Sequence, residues 1–369
     1  MRPAPLFVGS EIYRASRYGA THPLGIPRVS PVIDLCRALG WLPDHAYLDS
    51  PVATPDQLAR FHDPAYVAAV MAAESEQRID PAASARFNIG RNGNPIFPEV
   101  FRRPATSCGG TILAARILAE RGGIVHVPAG GTHHGQRDRA SGFCYFNDPV
   151  LGILELRERG VGRVAYVDLD AHHGDGVEFA FAGAADVLTI SIHEDGRWPY
   201  TGAAGDRAGG SARNLPVPPG FNDSELAFLI DAAVLPLLSA FRPGALVVQC
   251  GADALADDPM SGLALSNNAY FAAVRTLMGA APRLLVLGGG GYNPWSVARC
   301  WSGIWATLNG LEIPDALPRQ AEAVLRGLTW NRRRSEPRPE AWFTTLADPR
   351  RDGPVRSAVR ALASSALEP

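Results

Sequence analysis

From about residue 110 the chain alternates between two hydrophobic periods. Short, nearly continuous apolar runs (GIVHV, RVAYV, DVLTISIH, ALVVQ and RLLVL) are each bounded by Gly, Pro or Asp. Between them lie longer segments in which apolar residues recur every three or four positions: GGTILAARILAERGG, PVLGILELRERGVG, SELAFLIDAAVLPLLSAF and NAYFAAVRTLMGAA. Continuous apolar runs predict strands buried on both faces, and the 3.6-residue period predicts helices. Strand and helix in alternation predict an α/β, doubly wound fold, with a mostly parallel central sheet and helices on both faces. One domain over residues 1–327 accommodates the pattern.

Residues 1–110 are less regular. RYGATHPLGIPRVSP and NIGRNGNPIFPEVF are rich in Gly, Pro and Asn and read as long loops. Loops of that length in a compact domain tend to carry function. Residues 328–369 contain NRRRSEPRPE and DPRRDGPVR and read as a solvated, partly ordered C-terminal extension.

Composition narrows the class. The 369 residues are 46% hydrophobic and 20% charged, with a formal net charge of -2. That balance suits a globular core and gives no electrostatic basis for binding nucleic acid or a membrane. The five cysteines are far apart and form no CxxC pair. A reducing, cytoplasmic setting is therefore expected in place of a disulfide framework. The N-terminal MRPAPLFVGSEIYR lacks the apolar core of a signal peptide. No uninterrupted apolar run reaches the ~18 residues of a membrane span.

The unusual residues sit after the predicted strands, where parallel sheets bind ligands. GIVHVPAGG is followed by Thr132, His133 and His134; VAYV by Asp168, Asp170 and His172; ALVVQCGA by Asp253; and LLVLGGGG by Tyr292. Alternate residues of an extended backbone share a face, which aligns Asp168, Asp170 and His172. With a carboxylate from the Asp253 strand, a set of two acids and one imidazole would leave a metal position open, the pattern of catalytic zinc. Fe2+ or Co2+ would suit the same donors. An ion-paired strand end is the plain alternative, against which stands the cost of burying such groups. His133 and His134 are adjacent and cannot both ligate from one strand face. Paired with Asp168 and Asp175 they become acid–base groups, since a carboxylate on one ring nitrogen raises imidazole basicity. Gly288–Gly291 lacks the GK[ST] or GxGxxG frame of a phosphate cradle and instead reads as a tight turn exposing Tyr292.

In order, GGTHHG, SGFCYFND, YVDLDAHHGDG, CGADALADDPM and LGGGGYN resemble the motifs of the arginase–deacetylase superfamily. Within it they are most similar to the zinc-dependent histone deacetylases and their bacterial relatives, the acetoin-utilization proteins and acetylpolyamine amidohydrolases. The resemblance runs from about Tyr18 to Gly310. It implies an amidohydrolase that removes an acetyl group from an amine such as acetyl-lysine, with acetylpolyamines or other small amides as alternative substrates. It also implies one Zn2+ on Asp170, His172 and Asp253, with His133 and His134 backed by Asp168 and Asp175, and Tyr292 polarising the acyl carbonyl. Gly142, Phe143, Trp198, Gly290 and Met260 would line the acyl-lysine tunnel. Arg28 would lie in the acetate-release region. Asp168, Asp170, His172, Ser191 and Ile192 would surround a structural K+. A non-catalytic acyl-amine binding module is the rival class, and a lost ligand or lost tyrosine would mark it.

Two departures refine these expectations. Ureohydrolases of the superfamily carry DAHxD for a second metal. Here DAHHGD places Gly174 at the second acid's position, which disfavours a dinuclear site. Where many peptide deacetylases have a lid Asp that grips the substrate backbone, GNPIF places Gly93. Small acylated amines then become as suitable as peptides, Gly93→Asp is expected to favour peptides, and Asn92 and Asn94 are the remaining polar lid groups.

Overall fold

A computed structural model describes residues 3–330 and 337–368. NRRRSE, the start of the Arg-rich stretch of the expected extension, lies outside the described residues. Eight strands form one sheet: β1 Leu6–Gly9, β2 Tyr47–Asp49, β3 Gly123–Val127, β4 Val164–Asp168, β5 Val187–Glu194, β6 Ala212–Val217, β7 Ala245–Gln249 and β8 Arg283–Leu287. Their order is β2-β1-β3-β8-β7-β4-β5-β6, and every neighbouring pair is parallel. The inner strands β3, β4 and β7 are buried along their whole length, as their unbroken apolar runs require.

Helices cover both faces. They include α1 Val29–Ala38, α2 Arg102–Arg121, α3 Asp148–Glu158, α4 Asp223–Phe241, α5 Asn267–Leu277 and α6 Pro294–Leu308. Helix α4 is long and apolar enough to cross a membrane, with a hydropathy of 1.7. Its Leu226, Leu229, Ile230, Ala233, Val234 and Leu238 pack in the main core, which accounts for that composition. A π-turn over Ile230–Val234 precedes Pro236, so the helix continues past a residue with no N–H to donate.

Four elements escape the sequence pattern. β1 has four residues and β2 three, too few to show a period. β6 carries Arg213, Asn214 and Pro216 on the sheet's outer edge, where an unpaired N–H position tolerates proline. Helix α6 is buried at all 15 positions, so it has no polar face to generate a helical period.

Helices α1 and α5 pack along α6, and the C-terminal segment adds to its cover. Helix α7 Ala341–Thr344 and helix α8 Ser357–Ala366 flank a strap laid across the body. Buried Arg299 of α6 pairs with Asp348 at 2.7 Å and donates through Nε to the Thr345 carbonyl at 2.7 Å. Asn267 exchanges two hydrogen bonds with the backbone of Leu346 and Asp348. Arg356 chelates Glu225 at 2.6 and 2.7 Å. Leu346, Val359, Ala363 and Ala366 are buried. The described part of this segment is thus packed on the body, in contrast to the solvated extension its Arg- and Pro-rich composition predicts. Its charged groups are matched by opposite charges far away in sequence, Asp348 by Arg299 and Arg356 by Glu225, which composition cannot reveal.

Candidate active site

The four strands followed by candidate chemistry, β3, β8, β7 and β4, are contiguous at the centre of the sheet. Their carboxyl ends therefore meet at one place. β4 stops at Asp168, so Asp170 and His172 do not share an extended face as the alternate spacing predicts. They converge by another route. Asp168 Oδ1 accepts the Asp170 N–H at 3.0 Å, and Asp170 Oδ1 accepts the His172 N–H at 3.0 Å. Each acid folds the chain back two residues on, the Asx-type turn.

Asp170, His172 and Asp253 each offer a ligand atom, and these atoms lie within 4.8 Å of one another. Among the described residues this is the cluster with metal-binding geometry. All three residues are buried. His172 Nδ1 lies 2.9 Å from Asp253 Oδ2 and 3.3 Å from Asp170 Oδ1. Burial and the neighbouring Asp170 charge push the Asp253 carboxyl up, while His133 and His172 overcome burial and hold Asp170 down. Burial opposes the charge on His172, but hydrogen bonds to both acids outweigh it and raise this imidazole to about 10. Two carboxylates pressed together, with one imidazole as their shared counter-charge, are the donor set that a divalent cation satisfies. Gly290 allows this closeness: its N–H donates to Asp170 Oδ2 at 2.6 Å, and a Cβ there would meet Asp253 Oδ2 at 2.0 Å.

Two histidine–carboxylate dyads flank the cluster. His133 Nδ1 lies 2.7 Å from Asp168 Oδ2, and His134 Nδ1 lies 2.7 Å from Asp175 Oδ1. The rings are 3.9 Å apart, and both are buried. Their environments split them. Burial lowers His133, but the charges of Asp168 and Asp170 reverse this and raise it to about 9. Burial and the His133 charge together lower His134 to about 4. In the metal-free pocket the pair is thus split, His133 toward the cation and His134 toward the free base. The Tyr166 hydroxyl, 2.7 Å from Asp168 Oδ2 and 2.8 Å from Gln249 Oε1, completes the shell of Asp168.

Tyr292 closes the group. Its N–H donates to Asp258 Oδ2 at 2.6 Å. Burial and the charges of Asp253 and Asp170 drive its hydroxyl well above the usual phenol range, so it stays a donor. Gly142, Phe143, Trp198, Met260 and Tyr292 line an outer cavity of about 730 Å³. The Trp198 and His134 rings meet edge to face at 4.6 Å. Beneath the site lies an inner cavity of about 70 Å³, lined by Gly290, Arg28 and Arg103. Arg28 is bonded to the Gly289 carbonyl and lies over Trp301 at 5.0 Å. Ser191 sits beside Asp168 in the β4–β5 register, with Ile192 next along β5.

Several contributors were not singled out from sequence. Asp148 accepts the N–H groups of Gly131 and Thr132 at 3.0 and 2.8 Å and so pins the loop that carries both histidines. The invisible residues include Asp258, Gln249 and Arg103, which act through backbone or through residues remote in sequence. A usable signal existed for Tyr166 alone, two positions before Asp168 on the same strand.

The lid differs from expectation. Gly93 has φ +80°, and a Cβ there would lie 2.5 Å from Phe143 Cε1. Its carbonyl lies 3.0 Å from His22 Nε2. Asn94 is buried and accepts the Phe143 N–H at 3.0 Å. Gly93 and Asn94 therefore hold the tunnel wall, and Asn92 is the polar lid group that faces the cavity.

The chain matches the Histone deacetylase domain family over residues 22–308. The chain belongs to the histone deacetylase family. It is 38% identical to Histone deacetylase 9 of Arabidopsis thaliana over 309 residues, covering 82% of this chain and 72% of that one. Identity to Histone deacetylase 8 of Xenopus tropicalis is 34%, over 79% of this chain and 80% of the relative. The crystal structure of an HDAC homolog from Aquifex aeolicus superposes with a TM-score of 0.94 at 33% identity, covering 99% of this chain and 100% of that one. An HDAC homolog complexed with SAHA superposes with the same score, identity and coverage. Family membership carries the activity class, hydrolysis of an amide.

The geometry generates two predictions. With His172 raised to about 10 in the metal-free pocket, the ring is protonated at pH 7, yet a ligand imidazole must be neutral. Metal uptake should therefore release protons and tighten as pH rises toward that value. Calorimetric titration of stripped protein in buffers of differing ionisation enthalpy should show buffer-dependent heats, and identical heats would contradict it. Gly93→Asp should displace Phe143 and lower turnover of minimal and peptide substrates alike. A selective gain on peptides would restore the lid reading drawn from sequence.

Proposed function

We propose that the protein is a zinc-dependent deacetylase that hydrolyses the amide of an acetylated amine, acetyl-lysine foremost, and releases acetate. The observation that carries this reading is one convergence. Asp170, His172 and Asp253, two carboxylate-backed histidines and the Tyr292 hydroxyl meet at the boundary that the outer, aromatic-walled cavity shares with the inner one. The donor set fits zinc, and it also fits Fe2+ or Co2+. Bound by those three residues, the cation would polarise the acyl carbonyl and lower the pKa of the attacking water from about 15.7 toward neutrality.

The protein's own groups supply the rest. His134, unprotonated and with Nδ1 held by Asp175, takes the water proton at Nε2 as the oxygen attacks the acyl carbon. His133, kept cationic by Asp168 and Asp170, offsets negative charge in the site. The Tyr292 O–H donates to the carbonyl oxygen as that oxygen gains charge. When the C–N bond breaks, His134 returns its proton to the amine nitrogen, so the amine departs neutral and the acid product remains. Arg28 below the site would receive the acetate carboxylate. Asp168 and Ser191, with backbone near Asp170, His172 and Ile192, would hold K+ behind the dyads.

Rival readings fit less well. Both dyads, all three ligands and the tyrosine are present, so nothing marks a binding module that has lost its chemistry. A ureohydrolase needs a second metal acid at Gly174, where a Cβ would lie 2.5 Å from Asp168 Oδ2.

The test is a turnover panel of acetyl-lysine peptides, minimal acetyl-lysine derivatives, acetylputrescine and acetylspermidine with defined metal. Tyr292→Phe should keep metal and fold while lowering turnover by ~10²-fold or more; wild-type turnover in the metal-replete variant would reduce Tyr292 to packing. Because no acid lies in the lid segment FNIGRNGNPIFP, minimal acetyl-lysine derivatives should match long peptides in kcat/KM. A preference for peptides beyond about a hundredfold, ~2.7 kcal/mol, would sink that substrate reading and point to Asn92 as the gripping group.

A further inference from the structure

The loop carrying Asp253 and the turn carrying Tyr292 are fastened to each other. Asp258 Oδ2 accepts the Tyr292 N–H at 2.6 Å, and Asn293 Nδ2 donates to the Asp257 carbonyl at 3.1 Å. Asn293 also caps α6, accepting the Trp295 N–H at 3.1 Å, so Tyr292 sits one residue before a rigid helix start. Trp342 of the C-terminal strap touches both halves of this fastening. Trp342 of α7 donates through Nε1 to Asp257 Oδ2 at 3.2 Å and stacks on Trp295 at 5.4 Å and 29°. Phe343 packs edge-on against the same Trp295 ring at 5.9 Å. Farther along, Arg299 and Asp348 lock the strap to α6.

We infer that the C-terminal strap is a clamp that sets the position of Tyr292 relative to Asp253, with Trp342 as its positioning residue. Trp342 touches neither cavity, so it acts through the Asp257–Asn293 link and the Trp295 ring. A hydroxyl donor helps only when it points at the developing oxyanion, and a displacement of about 1 Å can cost up to 10²-fold in rate. The inference rests on the reading of Tyr292 as the carbonyl donor.

A double-mutant cycle tests it on the full-length, metal-replete protein. Trp342→Ala should lower kcat by about tenfold or more, with KM and metal content unchanged. In a Tyr292→Phe background the same change should lower kcat by no more than about twofold, because the group it positions is gone. Trp342→Phe keeps a ring against Trp295 and drops only the N–H, so it should fold as wild type and show an intermediate loss. Val359→Ala, in the same strap but on α8, should cost stability and leave kcat intact. Wild-type kcat in both Trp342 variants would overturn the clamp, as would equal losses in the two backgrounds, which mean general destabilisation. Wild-type kcat in Tyr292→Phe alone would sink the Tyr292 reading and the clamp with it; a large loss there beside an unaffected Trp342→Ala would sink only the clamp.

Discussion

Five carboxylates, those of Asp168, Asp170, Asp175, Asp253 and Asp258, are buried around one small volume. Buried like charges repel strongly unless each finds a partner, and much of the local structure supplies those partners. Asp168 has His133 and Tyr166, Asp175 has His134 and Gln136, and Asp258 has the N–H groups of Tyr292 and Met260. Asp170 and Asp253 share His172 between them, with the Gly290 N–H on Asp170 and the Ala171 N–H on Asp253. The site's chemistry grows out of that concentration of negative charge. It raises His133, leaves His134 under the field of a neighbouring cation, and keeps the Tyr292 hydroxyl protonated.

How much of this was readable from sequence depends on how each residue acts. Asp170, His172, Asp253, His133, His134 and Tyr292 were legible because titratable groups after apolar strands are conspicuous, and because parallel strands gather their ends. Five strands showed themselves through apolar runs. β1, β2 and β6 are too short or too polar at an edge, and α6 lost its helical period by being buried on every side. The strap misled for a similar reason. Its arginines and prolines signal solvent, whereas Arg299, Asn267 and Glu225 lie some fifty to more than a hundred residues earlier and turn those polar groups into ties.

The lid shows the limit of reading by correspondence. Gly93 stands where an acid is expected, and from sequence it looks like an unfilled place. In space it is filled already, by the ring of Phe143, whose N–H is held by Asn94. A glycine of this kind is a consequence of what packs against it, which only the fold discloses.

The strand order has a temporal meaning. β3 and β4 carry the two halves of the His133–Asp168 dyad and are close in the chain, yet β8 and β7 lie between them in the sheet. Those two strands are synthesised more than seventy residues after β4. A nascent chain that has produced both histidines and Asp168 therefore still lacks the central strands that fix their spacing. Pairings of such sequence separation form late and slowly. The donor set therefore waits for Asp253 after β7, and the sheet that holds it in place closes only with β8.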